Sequence, residues 1–271
     1  MRSRAGDNDG SGNAWSTLTW LAASMLILFL LLPMVALAYR ALGRERTFNS
    51  DTWGIFRQAI WLSAYTSAAA LIVILALGTP LAFLLARGRI PGGKFIETLV
   101  DLPMVLPPAV AGLGLLMAFG RRGILGGQLA RAGVTLGFST WAVIIAQIFV
   151  ATPFFVRSAR AGFTRVDQAI EEAAADLGAG PATVFRTVTL PMALPGIAAG
   201  AVLAWARAVG EFGATIMFAG NFAGRTQTMS LAIYGQYEAG DLNTALLLAV
   251  ILLAGSALVL LVARMFGRSP A

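Results

Sequence analysis

Three groups of residues in this chain carry charge in patterns that could do chemistry. Arg207 and Glu211 stand four apart inside the apolar run MALPGIAAGAVLAWARAVGEFGATIMFAG. Residues four apart share a helix face, so the spacing predicts a self-neutralising pair near mid-membrane depth. Such a pair faces a polar pathway or a subunit contact, or it only fixes helix packing, because an isolated charge there costs roughly 2.5–3.5 kcal/mol. Residues 88–95, GRIPGGKF, match the first seven positions of the phosphate-binding pattern G-x-x-x-x-G-K-[ST]. Phe95 stands where that chemistry needs a hydroxyl on Mg²⁺, and an apolar run precedes instead of a strand, so Pro91-Gly92-Gly93 reads as a turn in a short loop. Glu171, Glu172 and Asp176 lie in a polar segment, EEAAADLGAGPATVFRTVTLP over 171–191, between two apolar runs. The chain has neither histidine nor cysteine. Thiol chemistry, disulfides, zinc sites and His-based triads are thereby excluded, and no catalytic, metal or cofactor site is expected.

The elements that must position these groups are membrane helices. Of 271 residues, 58% are hydrophobic and only 12% charged, against about 25% charged in a soluble domain. About 20 mostly apolar residues span the hydrocarbon, which predicts six spans near 16–39, 60–86, 102–120, 136–156, 192–220 and 243–265. Pro33, Pro80, Pro107, Pro108 and Pro153 fall in or near them, where neighbouring helices can satisfy the freed carbonyls. Arg2 and Arg4 precede the first run and Ala36-Leu37-Ala38 resembles a signal-peptidase site, yet the run exceeds the usual 7–15-residue signal core, so a retained helix is expected. The basic excess of +7 suits loops and anionic lipid rather than nucleic acid. One side would carry Arg2, Arg4, Arg87, Arg89, Lys94, Arg157, Arg160, Arg165, Arg186, Arg264 and Arg268; the other Arg40, Arg44, Arg46, Arg57, Arg121, Arg122, Arg131 and Arg225. The excess places both termini, and the segment 157–191, in the cytoplasm. Residues 1–14 read as a flexible cytoplasmic N-terminus, 15–57 as the first membrane helix with an outer loop, 58–266 as the main membrane domain and 267–271 as a cytoplasmic tail.

Within 167–191, Asp167 predicts a cap for a helix starting near Gln168, with Glu171 and Glu172 in its first turns, where the dipole favours acids. Leu177-Gly178 is a stop signal. Gly180-Pro181 is a turn and Pro181 suits the first turn of a second helix over about 182–189, with Val184, Phe185 and Val188 as its apolar edge. Two short helices at an angle, with a smooth alanine face, fit a socket for another protein or a helix pair lying on the membrane surface.

Glu172-Ala173-Ala174, three residues, Gly178, nine residues and Val188-Thr189-Leu190-Pro191 resemble the EAA loop of prokaryotic ABC-importer permeases, with Val188 where that family usually has Ile. Pro103–Leu116 (PMVLPPAVAGLGLL), Gly210–Thr215 (GEFGAT) and Met217–Tyr234 are similar to molybdate-transporter permeases, and sulfate and tungstate permeases carry related versions. The resemblance covers about 60–265. It implies an all-α, polytopic MetI-like permease fold with six transmembrane helices in a bacterial inner membrane, importing molybdate or a related oxyanion by alternating access. Implied partners are a second copy of the chain, an ATP-binding cassette subunit that holds the ATP and Mg²⁺, a periplasmic molybdate-binding protein and membrane lipid. The implied docking residues are Glu171, Glu172, Ala173, Ala174, Asp176, Gly178 and Pro181. Arg207, Gly210, Glu211, Gly213, Pro107 and Pro108 are the candidates for the pathway or for close helix packing. Arg225 is either a receptor contact or a solvated loop charge. A secondary transporter and an intramembrane enzyme remain as rival classes; the first would show an inverted repeat with broken helices, the second a catalytic cluster in the spans.

Overall fold

The computed structural model describes residues 9–43 and 50–266, all of whose regular structure is helical. The expected positions 1–8 and the tail 267–271 lie outside the described residues, as do Arg2, Arg4, Arg44, Arg46 and Arg268 from the charge count. The chain divides into two units at Thr47–Phe48. The first holds α1 (Asp9–Leu42), a continuous Leu- and Ala-rich helix whose apolar stretch Ser16–Ala41 is exposed.

The second unit contains α2 (Ser50–Ala86), α3 (Gly93–Val105), α4 (Pro108–Phe119), α5 (Gly126–Arg131), α6 (Thr140–Thr164), α7 (Gln168–Asp176) and α8 (Pro181–Val184). After α8 come a wide π-turn (Phe185–Thr189), α9 (Leu190–Val209), α10 (Gly213–Ala219), α11 (Met229–Glu238) and α12 (Leu242–Phe266). Among the described residues five helices are long and apolar enough to cross a membrane, or six with the bent pair α3–α4 counted as one span. α2 begins at Ser50, upstream of residue 58 where the main membrane domain is expected to start.

The core is built where α6 lies between α2 and α9. Phe155, Phe163, Ile74, Val156 and Ala204 are fully or almost fully buried there. Glycine lets these helices touch through their backbones: a Cβ on Gly196 would fall 2.6 Å from Gly162 Cα, and one on Gly200 2.9 Å from Phe155 O. Ser158 hydroxyl donates to Gly196 O at 2.9 Å across the same crossing. Close approach through small residues is the usual way membrane helices associate, since apolar burial gives little advantage over lipid.

Four expected elements differ. The third span is not one helix; α3 and α4 meet at 116°. Leu106 and Pro107 are both extended (ψ 135° and 134°) because each precedes a proline, whose ring disfavours helical geometry in the residue before it. The fifth span stops at Val209, and Glu211 lies beyond its end rather than on the face of Arg207. The second helix of the hairpin does not end at Leu190-Pro191: α8, the π-turn and α9 run on as one apolar helix, Pro181–Val209. Pro191 lacks an N–H and crowds the carbonyl four residues back; the wide turn, closed by Leu190 N–H on Phe185 O, relieves that conflict just upstream. Finally α6 reaches Thr164, so Arg157 and Arg160 are helical, not loop, residues. Their charges are met by Asp101 (3.4 Å) and Glu97 (2.8 Å) on α3.

Asp241 starts α12 in the way its sequence position requires. Its carboxylate accepts from Thr244 N–H at 3.0 Å and Thr244 hydroxyl at 2.6 Å. The hydroxyl first, and the backbone N–H second, hold its pKa below the ordinary 3.8. A depressed carboxylate stabilises the fold above its unfolded pKa, and that contribution disappears as pH falls through the folded value. Asp241→Ala is expected to cost about 1 kcal/mol at neutral pH. Thermal unfolding in detergent should show that gap closing in strong acid.

Candidate functional site

The expected site residues gather at two places, joined by the helix Pro181–Val209. At one end is the polar hairpin. Asp167 caps α7, accepting from Ala169 N–H at 2.9 Å. Gly178 (φ 89°) turns the chain out of α7 in a left-handed conformation open to glycine. Pro181 takes the first helical position after Gly180. Glu172, Ala173, Asp176, Gly178 and Pro181 are exposed, and Ala174 is half-buried. Leu177, which the sequence offers only as a stop signal, is 90% exposed at the tip.

Glu171 behaves differently from its neighbours. It turns back into the chain, where Oε1 accepts from Arg87 NH2 at 2.5 Å and from Thr189 Oγ1 at 2.5 Å. Arg87 NH1 also donates to Val166 O at 3.4 Å. The Arg87 guanidinium stands 5.9 Å from the centre of the Phe83 ring, which packs edge-on to Phe163 and Phe185 at 5.4 and 5.1 Å. Arg87 and Thr189 are 84 and 18 residues from Glu171, and nothing in the sequence pairs them. Gly88 and Gly92 (φ 62° and 69°) make the turn expected of GRIPGGKF.

At the other end Arg207, in the last turn of α9, reaches Glu211 Oε2 at 2.7 Å. Gly210 closes α9 and Glu211 then points its Oε1 at Ala214 N–H, 2.7 Å away, at the start of α10. Glu211 is 1% exposed, whereas the Arg207 side chain is 29% exposed. One carboxylate thus brackets a broken span, satisfying a cation on one side and an orphan helix N–H on the other. α10 packs on α4 so closely that a Cβ on Gly213 would lie 2.4 Å from Pro108 Cβ, and one on Gly112 2.6 Å from Ala214 O. Arg207, Gly210, Glu211, Gly213 and Pro108 therefore form one junction with Pro107, which shapes the bend leading to it. Two buried polar residues near this packing layer escape sequence reasoning: Gln147 Oε1 and Thr215 Oγ1 have no hydrogen-bond partner. The lone amide in WAVIIAQIFVA was the available signal for Gln147.

Beyond α10, Gly220 and Gly224 (φ 72° and 71°) shape the loop 220–228, and Thr140 hydroxyl pins Arg225 O at 2.8 Å while the Arg225 side chain stays exposed.

Comparison with known proteins gives a consistent assignment. Residues 78–270 match the family described as binding-protein-dependent transport system inner membrane component. The molybdenum transport system permease protein ModB of Mycobacterium tuberculosis is 43% identical over 242 residues, which is 89% of this chain and 91% of that one. A bacterial alginate ABC transporter, solved in complex with an alginate pentasaccharide-bound periplasmic protein, contains a chain of similar fold (TM-score 0.72, 18% identity, 95% of each chain covered). A chain of the MetNI methionine ABC transporter, in inward-facing conformations, has a TM-score of 0.64 at 20% identity over 82% of this chain and 98% of its own.

Proposed function

We propose, starting from a chain that belongs to the family of binding-protein-dependent transport system inner membrane components, that this protein is the membrane-spanning permease subunit of an ATP-driven molybdate importer. Two copies enclose the pathway in a bacterial inner membrane, with both termini and the hairpin in the cytoplasm. A separate ATP-binding cassette subunit, which carries the nucleotide and Mg²⁺, docks on each hairpin, and a periplasmic binding protein delivers the anion. This chain hydrolyses nothing itself.

The observation that carries this reading is the continuous helix from the exposed hairpin to the Arg207–Glu211 junction. Glu172, Ala173, Asp176, Leu177, Gly178 and Pro181 offer the cassette subunit a small-residue face with one apolar knob and a few acids. Closure of two cassette subunits on ATP moves the hairpins, and each drives its own fifth span. The helices then tip between inward- and outward-open arrangements. Arg207 supplies positive potential near the broken span, yet Glu211 already satisfies it, so a divalent oxyanion meets only a shallow well. Shallow binding suits conduction, since a deep site slows release.

Three experiments test this reading. In proteoliposomes, uptake of molybdate should require the cassette subunit; uptake without it would make the chain a secondary transporter. Glu172→Lys and Leu177→Asp should leave the permease folded but reduce retention of the cassette subunit about tenfold or more, since burying a leucine contributes about 1.5–3 kcal/mol and each 1.4 kcal/mol is tenfold. Unchanged retention would remove the docking assignment. Competition of labelled molybdate with tungstate and sulfate fixes the ion, and preferential uptake of sulfate would overturn molybdate.

A further inference from the structure

We propose that Arg87, Glu171 and Thr189 form a clamp that fixes the angle of the hairpin against the membrane helices, so that Glu171 is a positioning residue for coupling and not part of the docking face. The proposal rests on the coupling role proposed above for the hairpin. α7 has no buried residue. It is joined to the body by Arg165–Asp167 on one side and by Leu177–Gly180, with two glycines, on the other. Packing therefore does little to hold its direction. What holds it is one carboxylate oxygen that accepts from the end of α2 and from the π-turn at once, both at 2.5 Å.

The donors are themselves buried. The Arg87 side chain is 6% exposed and Thr189 2% exposed. Arg87 reaches Val166 O, in the loop just before α7, with its other nitrogen. A guanidinium fork that joins a carboxylate to a backbone carbonyl has a fixed geometry that an ammonium would not reproduce. Three segments far apart in sequence are thus made into one body at the point where force would enter. A hairpin pushed by a partner carries α2 and the π-turn with it; with the clamp removed, α7 can pivot on its loops and absorb the movement.

The adjacent acid makes the contrast. Glu172 is exposed and available to a partner, while Glu171 Oε1 is occupied internally. The sequence reading places both among the docking residues.

The test uses the complete transporter in proteoliposomes, with Arg87→Gln, Glu171→Gln and Thr189→Val, and measures retention of the cassette subunit together with molybdate taken up per ATP hydrolysed. Retention should stay within twofold of wild type, while uptake per ATP falls about tenfold in the Arg87 and Glu171 variants and less in Thr189→Val. Arg87→Lys should recover only part of the loss. Unchanged uptake per ATP would overturn the clamp. Loss of retention in Glu171→Gln would return Glu171 to the docking face. If an Arg87 variant fails to accumulate, Thr189→Val, which keeps the shape and removes one donor, gives the same two readouts. Glu172→Lys in parallel separates the two readings: retention lost there but kept in Glu171→Gln supports both, and retention kept in both with uptake per ATP reduced only in Glu171→Gln leaves the clamp standing without the docking assignment.

Discussion

Glu211→Ala is expected to abolish measurable uptake and to lower the thermal stability of the purified permease sharply. The carboxylate is 1% exposed and serves two partners, Arg207 NH2 at 2.7 Å and Ala214 N–H at 2.7 Å. Deleting one member of a fully buried pair costs about 3–5 kcal/mol; the 29% exposure of the Arg207 side chain lowers that term, and the Ala214 N–H left without its acceptor adds about 1–3 kcal/mol. That is a large share of the roughly 5–15 kcal/mol by which a native fold is stable. Glu211→Gln keeps an acceptor for Ala214 and removes the charge, so it should fall between the alanine variant and wild type in both assays. Arg207→Met combined with Glu211→Gln separates packing from transport. A folded double variant with wild-type uptake kinetics would reduce the pair to a packing device, whereas slowed uptake with intact cassette retention assigns Arg207 to the pathway.

Gly196→Leu is expected to prevent accumulation of folded protein. Even a methyl group at this position would lie 2.6 Å from Gly162 Cα and 3.0 Å from Gly162 N. These are backbone atoms, so no rotamer change removes the clash and α6 must move off α9. Overpacking of a tight contact costs typically about 1–3 kcal/mol, the range expected for Gly196→Ala, and leucine should exceed it. Ser158 would lose its bond to Gly196 O in the same displacement. Gly54, also helical, has open space around its Cβ position, and Gly54→Ala should stabilise by about 0.5–1 kcal/mol. Expression, monodispersity and melting of the three variants give the comparison directly.

The spans were legible because twenty apolar residues have few other uses, and the hairpin was legible because Asp167, Gly178 and Pro181 are local signals acting over one turn each. What failed was continuity. The apolar pattern runs through Pro107-Pro108 as if through a single span, but two successive pre-proline positions extend the chain at Leu106 and Pro107 and bend the element by 116°. Leu190-Pro191 has the local chemistry of a boundary, yet a π-turn carries the helix through it. Gly210 looked like one more packing glycine and proved to be the end of α9. The Arg207–Glu211 pair was found by its spacing of four, although Glu211 meets Arg207 from outside the helix. The Glu171 clamp and the Glu97–Arg160 and Asp101–Arg157 pairs join distant segments, and no local pattern encodes them. The same limit applies to Gln147 and Thr215, whose burial, not their type, makes them notable.

The backbone contact at Gly196 divides the helix Pro181–Val209 unequally. At 1.5 Å per residue, Pro181 is about 22 Å from it on one side and Arg207 about 16 Å on the other. Turned about that contact as a see-saw, the rod trades stroke in a ratio of roughly 3 to 4 and reverses its sense. A sideways shift of about 4 Å at the hairpin end would then swing the guanidinium about 3 Å the opposite way, comparable to the length of one hydrogen bond.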